Sequence, residues 1–452
     1  MLMLFSGLIS TRFIIMVILF GFLTPFMYMK MYKTFVYLEN YLFFENDVNI
    51  LLSFMTLTVL LMIVIATPNM STYYYVLHLS LCIVLVSCFT VNNMLLFYIL
   101  FESSLIPILL MIVGWGYQPE RLQAGLYMIL YTVLGSFPLL VVILSMKYNF
   151  VSMNYMLLST FNNYSVNYLI FSLGFMAFLI KLPVYSMHVW LPKAHVEAPL
   201  GGSMILAAVL LKLGGYGLYI LSGIIVMPLT ATPLSLIICL SLWGGLIASL
   251  VCMIQSDIKA MIAYSSIVHM SIVVLGFLSG TVTGLFSAII TMLAHGWASS
   301  GLFLVAHITY SVVGSRSFLY SKGLLSIFPT LSLSWFIFCI INMSVPPTIN
   351  FLGELMAIPA AMFNHQFLFI VLLMIMFISV SYNMLMYSKI NHGSLSSYLK
   401  QSPNISSSYM MALVGHVLTG FLVMHLKVIT FFTVICKSMN SVRHNWFTKS
   451  ML

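Results

Sequence analysis

Five charged side chains lie inside otherwise apolar segments of the sequence: Glu102, Lys181, Lys212, Glu354 and Lys427. A charge at the centre of a bilayer costs about 2.5–3.5 kcal/mol to insert, so a charge without a role is not expected there. Burial favours the neutral form of an amine, whereas a nearby carboxylate favours its charged form. A lysine and a glutamate in neighbouring segments therefore predict a switchable proton site. The alternatives are structural ion pairs and, for Lys427, an amine that reaches the membrane surface.

Histidines supply candidate proton relays, because an imidazole donates at one nitrogen and accepts at the other. His269 lies in one apolar segment, and His295 and His307 share another. Each of the three is also compatible with a hydrogen bond that joins two membrane helices. For His78 and His416 the sequence suggests no role.

The composition requires a membrane protein. Of the 452 residues, 62% are hydrophobic and 6% are charged, whereas soluble domains carry about 25% charged residues. These values exclude a soluble enzyme, a disordered protein and a disulfide scaffold. The apolar runs are unbroken rather than alternating, which favours helices over a strand barrel. The six cysteines include no CxxC pair, so no metal centre is expected.

Apolar runs of about 17 residues or more, the length needed to cross a bilayer, recur along the chain and predict thirteen membrane segments. They lie near 13–29, 48–68, 73–90, 93–114, 124–145, 166–190, 203–227, 233–254, 261–279, 282–312, 324–363, 367–387 and 409–436. The first is expected to be retained, since no small-residue cleavage site follows it. The runs 282–312 and 324–363 are too long for one straight crossing, so each is expected to be a broken helix or two shorter pieces. The stretch 191–202 reads as a polar loop.

Loop charges predict how the segments are oriented. With loops assigned alternately to two sides, one side between residues 91 and 408 collects Arg121, Lys193, Lys259, Arg316, Lys322, Lys389 and Lys400. The other side collects Lys147. Cationic loops stay on the matrix-like or cytoplasmic face of a membrane. The cations of the two chain ends fall on the opposite side and weaken this bias.

Two of the charged segments contain prolines beside the charge. Pro183 follows Lys181, and Pro346-Pro347 precede Glu354. A proline inside a membrane helix frees a backbone carbonyl and opens a polar gap. Transporters place ion sites at such breaks, in corresponding positions of two halves. The two breaks therefore predict a repeat of five membrane segments.

Four stretches of the sequence resemble the antiporter-like subunits of respiratory complex I. They are LIKLPVYSMHVWLPKAHVEAPLGGSMILAAVLLKLGGYG (179–217), FYILFESSLIPILLMIVGWGYQPERLQAG (97–125), SDIKAMIAYSSIVHMSIV (256–273) and PPTINFLGEL (346–355). The resemblance covers about residues 90–390 and does not extend to the two ends of the chain. It implies an all-α polytopic membrane protein with thirteen to fourteen transmembrane helices, in two inverted five-helix repeats that contain broken helices.

The resemblance also implies roles for individual residues. Glu102 matches the membrane glutamate of the first half, and Lys181 matches the lysine on the broken helix. Lys212 matches the lysine that bridges to the second half. The remaining matches are His269 and His295, seen as central relays, and Glu354, seen as the terminal proton site. That site is a glutamate in one subunit type and a lysine in its two sisters.

The expected organisation is N-terminal helices at 1–90, repeats at 91–230 and 231–390, and a loop, helix and tail at 391–452. The resemblance implies a subunit of a proton-translocating NADH:ubiquinone reductase in the mitochondrial inner membrane. No GxGxxG motif opens a strand–helix unit, so no cofactor is expected in this chain. NADH, FMN, iron–sulfur clusters and ubiquinone are expected in other subunits. The expected partners are the other membrane-arm subunits, including the sister subunits, and lipids, without nucleic acid.

Two other functions fit the same residues. A stand-alone or Mrp-type cation/proton antiporter shares the fold and the lysines, and co-purification with flavin and iron–sulfur partners distinguishes it from a complex I subunit. A passive scaffold would use the buried charges only to hold helices together. Replacement of Lys212 tests the scaffold, which would continue to pump.

Overall fold

The computed structural model describes residues 46–149, 153–155, 158, 168–224, 232–394 and 406–425, and these are almost entirely helical. In chain order the helices are α1 Asp47–Ala66, α2 Thr72–Thr90, α3 Met94–Ser103, α4 Leu105–Trp115, α5 Arg121–Asn149, α6 Tyr168–Lys181, α7 Trp190–Glu197, α8 Leu200–Ile205, a π-helical segment Leu206–Leu210, α9 Leu211–Ile224, α10 Thr232–Ile254, α11 Ile258–Leu278, α12 Val282–Val313, α13 Leu324–Ile327, α14 Pro329–Asn342, α15 Ile349–Asn364, α16 Gln366–Asn391 and α17 Ser407–His425. The predicted all-α membrane fold is confirmed.

Within the described residues, nine helices are long and apolar enough to cross a membrane. They coincide with the runs predicted between 48 and 387, except for the runs 166–190 and 324–363, each of which is divided between separate helices. The predicted run 13–29 and the end of the run 409–436 lie outside the described residues, as does Lys427. Serine and threonine hydroxyls inside the helices donate to carbonyls three or four residues earlier, for example Thr132 to Met128 and Ser271 to Val268. This satisfies their polar groups without water.

The helices form a buried centre and a lipid-facing rim. Leu200–Ile224, α11 and α12 are almost entirely covered by the rest of the chain. Helix α5 instead exposes a stripe of large apolar side chains, at Leu122, Leu126, Leu130, Leu134 and Val141. That spacing repeats about every turn of a helix and marks the face turned towards lipid or a neighbouring chain. Lys212, His269 and His295 lie on the central helices.

The structure corrects two predictions about continuity. The run 282–312 is neither broken nor divided, because α12 is one continuous helix of 32 residues. Its polar centre does not open a gap, since Ser299 and Ser300 donate to carbonyl oxygens of their own helix, those of His295 and Gly296. The stretch 191–202, predicted as a loop, is mostly helical and belongs to α7 and α8. Helix α7 buries Trp190, so a sequence with many polar residues is drawn into the core.

The breaks near Lys181 and Glu354 share one backbone design. At each break the chain leaves one helix, makes a short loop and enters a second helix: α6 to α7 and α14 to α15. Three backbone hydrogen bonds recur with one constant residue spacing. In the first break they are Leu182 N to Phe178 O, Val184 N to Leu179 O and Met187 N to Val184 O, and in the second Met343 N to Cys339 O, Val345 N to Ile340 O and Thr348 N to Val345 O. The predicted break in 324–363 is confirmed at residues 343–348.

Two short backbone pairings repeat in the same way. Asn93 pairs with Asn154, between α2 and α3 and between α5 and α6, and Asp257 pairs with Ser317 at the corresponding places of the second half. Between Asn93 and Asp257 the described residues supply five apolar units, namely α3 with α4, α5, α6 with α7, Leu200–Ile224 and α10. An odd number of crossings reverses the second copy in a membrane. We infer that the repeat unit begins near Thr72, since α2 occupies the place in the first half that α10 occupies in the second. The sequence alone had suggested residue 91.

The cationic loops predicted to share one side lie close together. The Arg316 guanidinium donates to Gln118 and pairs with Glu197, and the Lys389 amine lies over the Phe318 ring. Lys147 lies at the far end of α5 from Arg121, and therefore on the other side. Lys400 lies outside the described residues.

We expect Gly217→Ala to destabilise the fold, because α9 approaches α6 at this glycine. A methyl group there would lie 2.1 Å from Cε1 of Phe178, and overpacking of a core costs about 1–3 kcal/mol. Gly174→Ala is the control, because its methyl group would meet Cγ1 of Val142 at an ordinary 3.6 Å. The measurement is the melting temperature of the protein extracted in detergent from its native membrane. Equal melting temperatures for the two variants would contradict this packing.

Candidate functional site

The Lys212 amine is the most deeply buried charge in the described part of the chain, with no solvent exposure. It donates to the carbonyl oxygen of Ala207 at 2.6 Å and lies 3.0 Å from Nδ1 of His295. A charged amine has no lone pair. When Lys212 is charged, His295 therefore accepts through Nδ1 and carries its own proton on Nε2.

The carbonyl that holds Lys212 is available because the helix changes its winding there. Residues Leu206–Leu210 form a π-helical turn, and Leu211 N bonds to Leu206 O at its end. A π turn inserts one residue into an α-helix and disturbs the usual pattern of carbonyl partners. Lys212, five residues after Ala207, fills this site from its own helix. The local winding thus supplies a polar partner inside an apolar core.

A row of ionisable groups continues from Lys212 into the second half. The rings of His295 and His269 have centroids 5.2 Å apart. Nδ1 of His269 lies 3.6 Å from Oε1 of Glu354. Lys212, His295, His269 and Glu354, here called the central row, are therefore brought together from α9, α12, α11 and α15.

Glu354 is held by the loop of the second break. The hydroxyl of Ser344 donates to Oε1 of Glu354 at 2.6 Å. Ser344 has a φ of 58°, in the left-handed region that non-glycine residues seldom adopt at a cost of about 1–3 kcal/mol. The loop thus aims a hydroxyl at the carboxylate in a backbone conformation that the surrounding packing must maintain.

Lys181 and Glu102 form a second charged group in the first half. The Lys181 amine donates to the carbonyl of Phe101 at 3.1 Å and lies 3.3 Å from the centroid of the Phe101 ring. Glu102 is the next residue, and its Oε1 is buried without a hydrogen-bond partner among the described residues. The helix is interrupted at Ser104, three residues before Pro107, which has no N–H to bond back to Ser103.

Glycines bring the two lysine helices together. A methyl group at Gly214 would lie 3.0 Å from the carbonyl oxygen of Phe178, one turn before Lys181, and one at Gly215 would lie 2.3 Å from Sδ of Met292. The glycines after Lys212 therefore allow the close helix approach that the sequence predicted. Lys181 and Lys212 bind different carbonyls, those of Phe101 and Ala207.

Sequence reasoning missed a group of polar residues on the cationic side. The Lys259 amine is buried, points to the carbonyl of Ala198 at 3.5 Å and lies 4.6 Å from the Tyr117 ring centroid. The Tyr117 hydroxyl lies 3.1 Å from Nδ1 of His307. His307 therefore belongs to this surface group and not to the central row. The sequence alone predicts Lys259 only as a loop charge.

His195, on α7, is a further buried titratable residue. Its ring is fully buried, stacks on Phe303 with centroids 4.7 Å apart, and has no hydrogen-bond partner at either nitrogen within the described residues. The charges of Lys259 and Lys212 both act on it. The signal that could have found it is a histidine within a polar stretch beside a membrane lysine. That stretch was interpreted as a loop, so the histidine was not assigned.

We expect Arg316→Gln to destabilise the cationic side. It leaves the buried Glu197 carboxylate unpaired and removes the donor to Gln118. Loss of one partner from a fully buried pair costs about 3–5 kcal/mol, and the lower part of that range applies because Arg316 is partly exposed. Arg121→Gln is the matched control, because Arg121 bonds the carbonyl of Gly116 in its own loop. Thermal stability and membrane abundance are the measurements, and equal losses in both variants would contradict the role of the pair.

Comparison with known proteins places the chain among membrane proteins of energy conversion. A family model described as NADH:quinone oxidoreductase/Mrp antiporter, transmembrane, matches residues 91–380. NADH-ubiquinone oxidoreductase chain 4 of Albinaria caerulea is 47% identical over 374 residues, which cover 82% of this chain and 86% of the relative. The protein of the same name from Aedes aegypti is 48% identical over 299 residues, covering 66% of each chain.

Solved structures agree with this relationship at the level of the fold. A chain of respiratory complex I from Thermus thermophilus with bound NADH has a TM-score of 0.76 at 23% identity, over 84% of this chain and 81% of its own length. A chain of the Mrp complex from Dietzia has a TM-score of 0.77 at 16% identity, over 86% and 82%. The chain belongs to the NADH:quinone oxidoreductase/Mrp antiporter transmembrane family, among the members named NADH-ubiquinone oxidoreductase chain 4.

Proposed function

We propose that the chain is a proton-translocating membrane subunit of an NADH:ubiquinone oxidoreductase. The observation that carries the proposal is the central row, in which four ionisable groups from four helices approach one another inside an apolar core. Relatives at 47% and 48% identity are named as chains of this enzyme. A passive scaffold has no evident use for such a row of ionisable groups, since every charge buried in a membrane costs free energy.

The proton steps follow from the geometry of the row. The Lys212 amine gives a proton to Nδ1 of His295 across 3.0 Å, which leaves a neutral amine and an imidazolium. The imidazolium releases its Nε2 proton towards His269, through water where the rings are too far apart for direct transfer. The final acceptor in the row is the carboxylate of Glu354. Each step moves one proton and leaves the donor able to accept another.

The energies of these steps are sufficient for work against a membrane potential. Moving one elementary charge against 100 mV requires about 2.3 kcal/mol. Two unit charges about 4 Å apart, at an effective dielectric constant near 20, interact by about 4 kcal/mol. Making or breaking one ion pair between a buried lysine and a buried glutamate would therefore supply an amount comparable with one translocated proton.

Protons reach the row from the cationic side in this proposal. Tyr117 contacts both His307 and Lys259, and the charges of Lys259 and Lys212 both act on His195. His195 has two unpartnered nitrogens within the described residues and is suited to accept a proton at one and release it at the other.

The driving energy comes from other subunits in this proposal. NADH, FMN, iron–sulfur clusters and ubiquinone belong to those subunits, and the chain works in the mitochondrial inner membrane beside its sister subunits. The alternative is an independent cation/proton antiporter, which the fold shared with an Mrp complex chain permits. Mild purification separates the two: a subunit of the oxidoreductase co-purifies with flavin and iron–sulfur absorbance, and an independent antiporter does not.

We expect both Lys212→Arg and Lys212→Met to abolish proton pumping in the assembled enzyme. Arginine keeps the charge but does not release its proton at working pH, and methionine keeps only the length. The measurement is the number of protons moved per NADH oxidised by the enzyme in sealed vesicles. If the arginine variant pumps as well as the original, Lys212 is a fixed structural charge.

Glu354→Gln tests the terminal position. The amide keeps the shape and can still accept from Ser344, but it cannot take a proton, so protons per NADH should fall while the enzyme remains assembled. Thr132→Val, on the helix α5, is a control for the loss of one buried polar group elsewhere, because Thr132 bonds carbonyls of its own helix. Unchanged pumping in an assembled Glu354→Gln enzyme would exclude Glu354 as a proton site.

A further inference from the structure

Two asparagines form a buried amide pair at the second break. Asn342 is the last residue of α14 and Asn383 lies within α16, and both are buried. Nδ2 of Asn342 donates to Oδ1 of Asn383 at 2.9 Å. Neither residue is part of the central row. A buried amide costs free energy unless its polar atoms have partners, so the use of the remaining atoms of the pair requires an explanation.

The hydrogen bonds of the pair determine which way each amide faces. Nδ2 of Asn383 donates to the carbonyl of Ser379 in its own helix at 2.9 Å, so Asn383 presents its oxygen to Asn342. Asn342 then presents its NH2 group to Asn383, and its own Oδ1 faces elsewhere. This Oδ1 is buried and has no hydrogen-bond partner among the described residues. The pair therefore holds one free acceptor in a fixed orientation.

The free acceptor belongs to a side chain that interacts with His269. The side chain and the backbone carbonyl of Asn342 both act on the His269 ring, although the contact falls short of a hydrogen bond, since Oδ1 is unbonded. Nδ1 of the ring is 3.6 Å from Oε1 of Glu354. A neutral imidazole has one N–H donor, whereas a protonated ring has two. His269 thus has two side-chain oxygens beside it, one for each donor of its protonated form.

The internal repeat places Asn342 where the first half has a lysine. At the constant spacing of the two breaks, Asn342 corresponds to Lys181, whose charge interacts with that of Glu102. A lysine at position 342 would oppose a proton on His269 by the repulsion of like charges. An amide oxygen instead favours a ring that carries a proton towards it. The amide therefore suits a histidine that takes up and releases protons.

We propose that Asn342 is a positioning residue for the proton relay at His269, and that Asn383 holds its amide in place. The inference rests on the proposed function. When His269 receives a proton from His295, one ring N–H donates to Oδ1 of Asn342 and the other faces the carboxylate of Glu354. The amide oxygen accepts the hydrogen bond without taking the proton, whereas the carboxylate takes it. One ring N–H bond breaks, one O–H bond forms on Glu354, and the neutral ring remains held by Asn342.

Several titratable groups surround His269, and the test has to separate Asn342 from them. They are Lys212, His295 and Glu354, which act on the ring or lie beside it, Tyr382, which acts on Glu354, His195, which acts on His295, Lys259 and Tyr264 on the same helix, and His188 and Cys252, which meet α11 near Tyr264 and Met261. None of these groups is changed when Asn342 is replaced. Two replacements at this one position, with and without an oxygen, therefore isolate the acceptor.

The test is the pH dependence of the number of protons moved per NADH by the assembled enzyme in sealed vesicles. Asn342→Leu removes the acceptor, so the ring holds a proton less well. Pumping should then fail, as the pH rises, about one pH unit below the limit of the original enzyme. Asn342→Asp keeps an oxygen near the position of Oδ1, and we expect it to pump up to the original limit or beyond it. Asn391→Leu is the matched control and should leave the limit unchanged, because Asn391 is a buried amide of α16 that bonds the carbonyl of Tyr387 in its own helix.

The order of the two Asn342 variants decides the outcome. Pumping that persists to a higher pH in the aspartate variant than in the leucine variant supports the proposal. Equal losses in both variants, or two unchanged profiles, would show that Asn342 only packs the break and would overturn it. In that case reduced pumping in Glu354→Gln leaves the proposed function standing, whereas normal pumping there contradicts the proposed function itself. If the leucine variant does not assemble, Asn342→Ser replaces it, since the shorter side chain withdraws the oxygen from His269: a lowered pH limit supports the proposal and an unchanged limit overturns it.

Discussion

The hydrogen bond from Lys212 to the carbonyl of Ala207 is the constraint on which the rest of the core depends. An amine with no solvent exposure is stable inside a membrane protein only when polar groups replace the water it has lost. Here one partner comes from the π turn of its own helix and the other from His295. Both require close packing around them, which the glycines that follow Lys212 provide by admitting Phe178 and Met292.

The two halves of the molecule share a backbone but not a distribution of charge. The equivalent hydrogen bonds of the two breaks are separated by one constant number of residues. At that spacing, the position of Lys181 in the first break corresponds to Asn342 in the second, and the position of Glu354 in the second corresponds to Lys193 in the first. The buried charge of the first break, Lys181, therefore lies at the end of α6, whereas the buried charge of the second break, Glu354, lies inside α15. Asn342 instead bonds Asn383. One scaffold thus holds a buried amine at the break of one half and a buried carboxylate at the break of the other.

Sequence reasoning found the charges and the breaks, because isolated ionisable residues and prolines are conspicuous in apolar segments. It could not find the π turn, since Leu206–Leu210 is uniformly apolar and the change of winding is decided by tertiary contacts. It expected α12 to break at His295–Ser300, whereas the serines are satisfied by their own helix. It assigned His195 and Lys259 to loops, because polar composition there outweighed a burial that only the folded chain reveals.

The distances along the central row explain how such a row can be gated. Lys212 and His295 are within direct transfer distance at 3.0 Å, whereas His269 and Glu354 are 3.6 Å apart, beyond a good hydrogen bond. The two imidazole rings, with centroids 5.2 Å apart, need a shift or a water between them. In the proposed function, a row with one contact within hydrogen-bond distance and two beyond it does not conduct protons continuously. Within that proposal, a movement of a few tenths of an ångström would bring Glu354 within hydrogen-bond distance of His269, and proton flow along the row would then depend on the conformation of the break that carries Glu354.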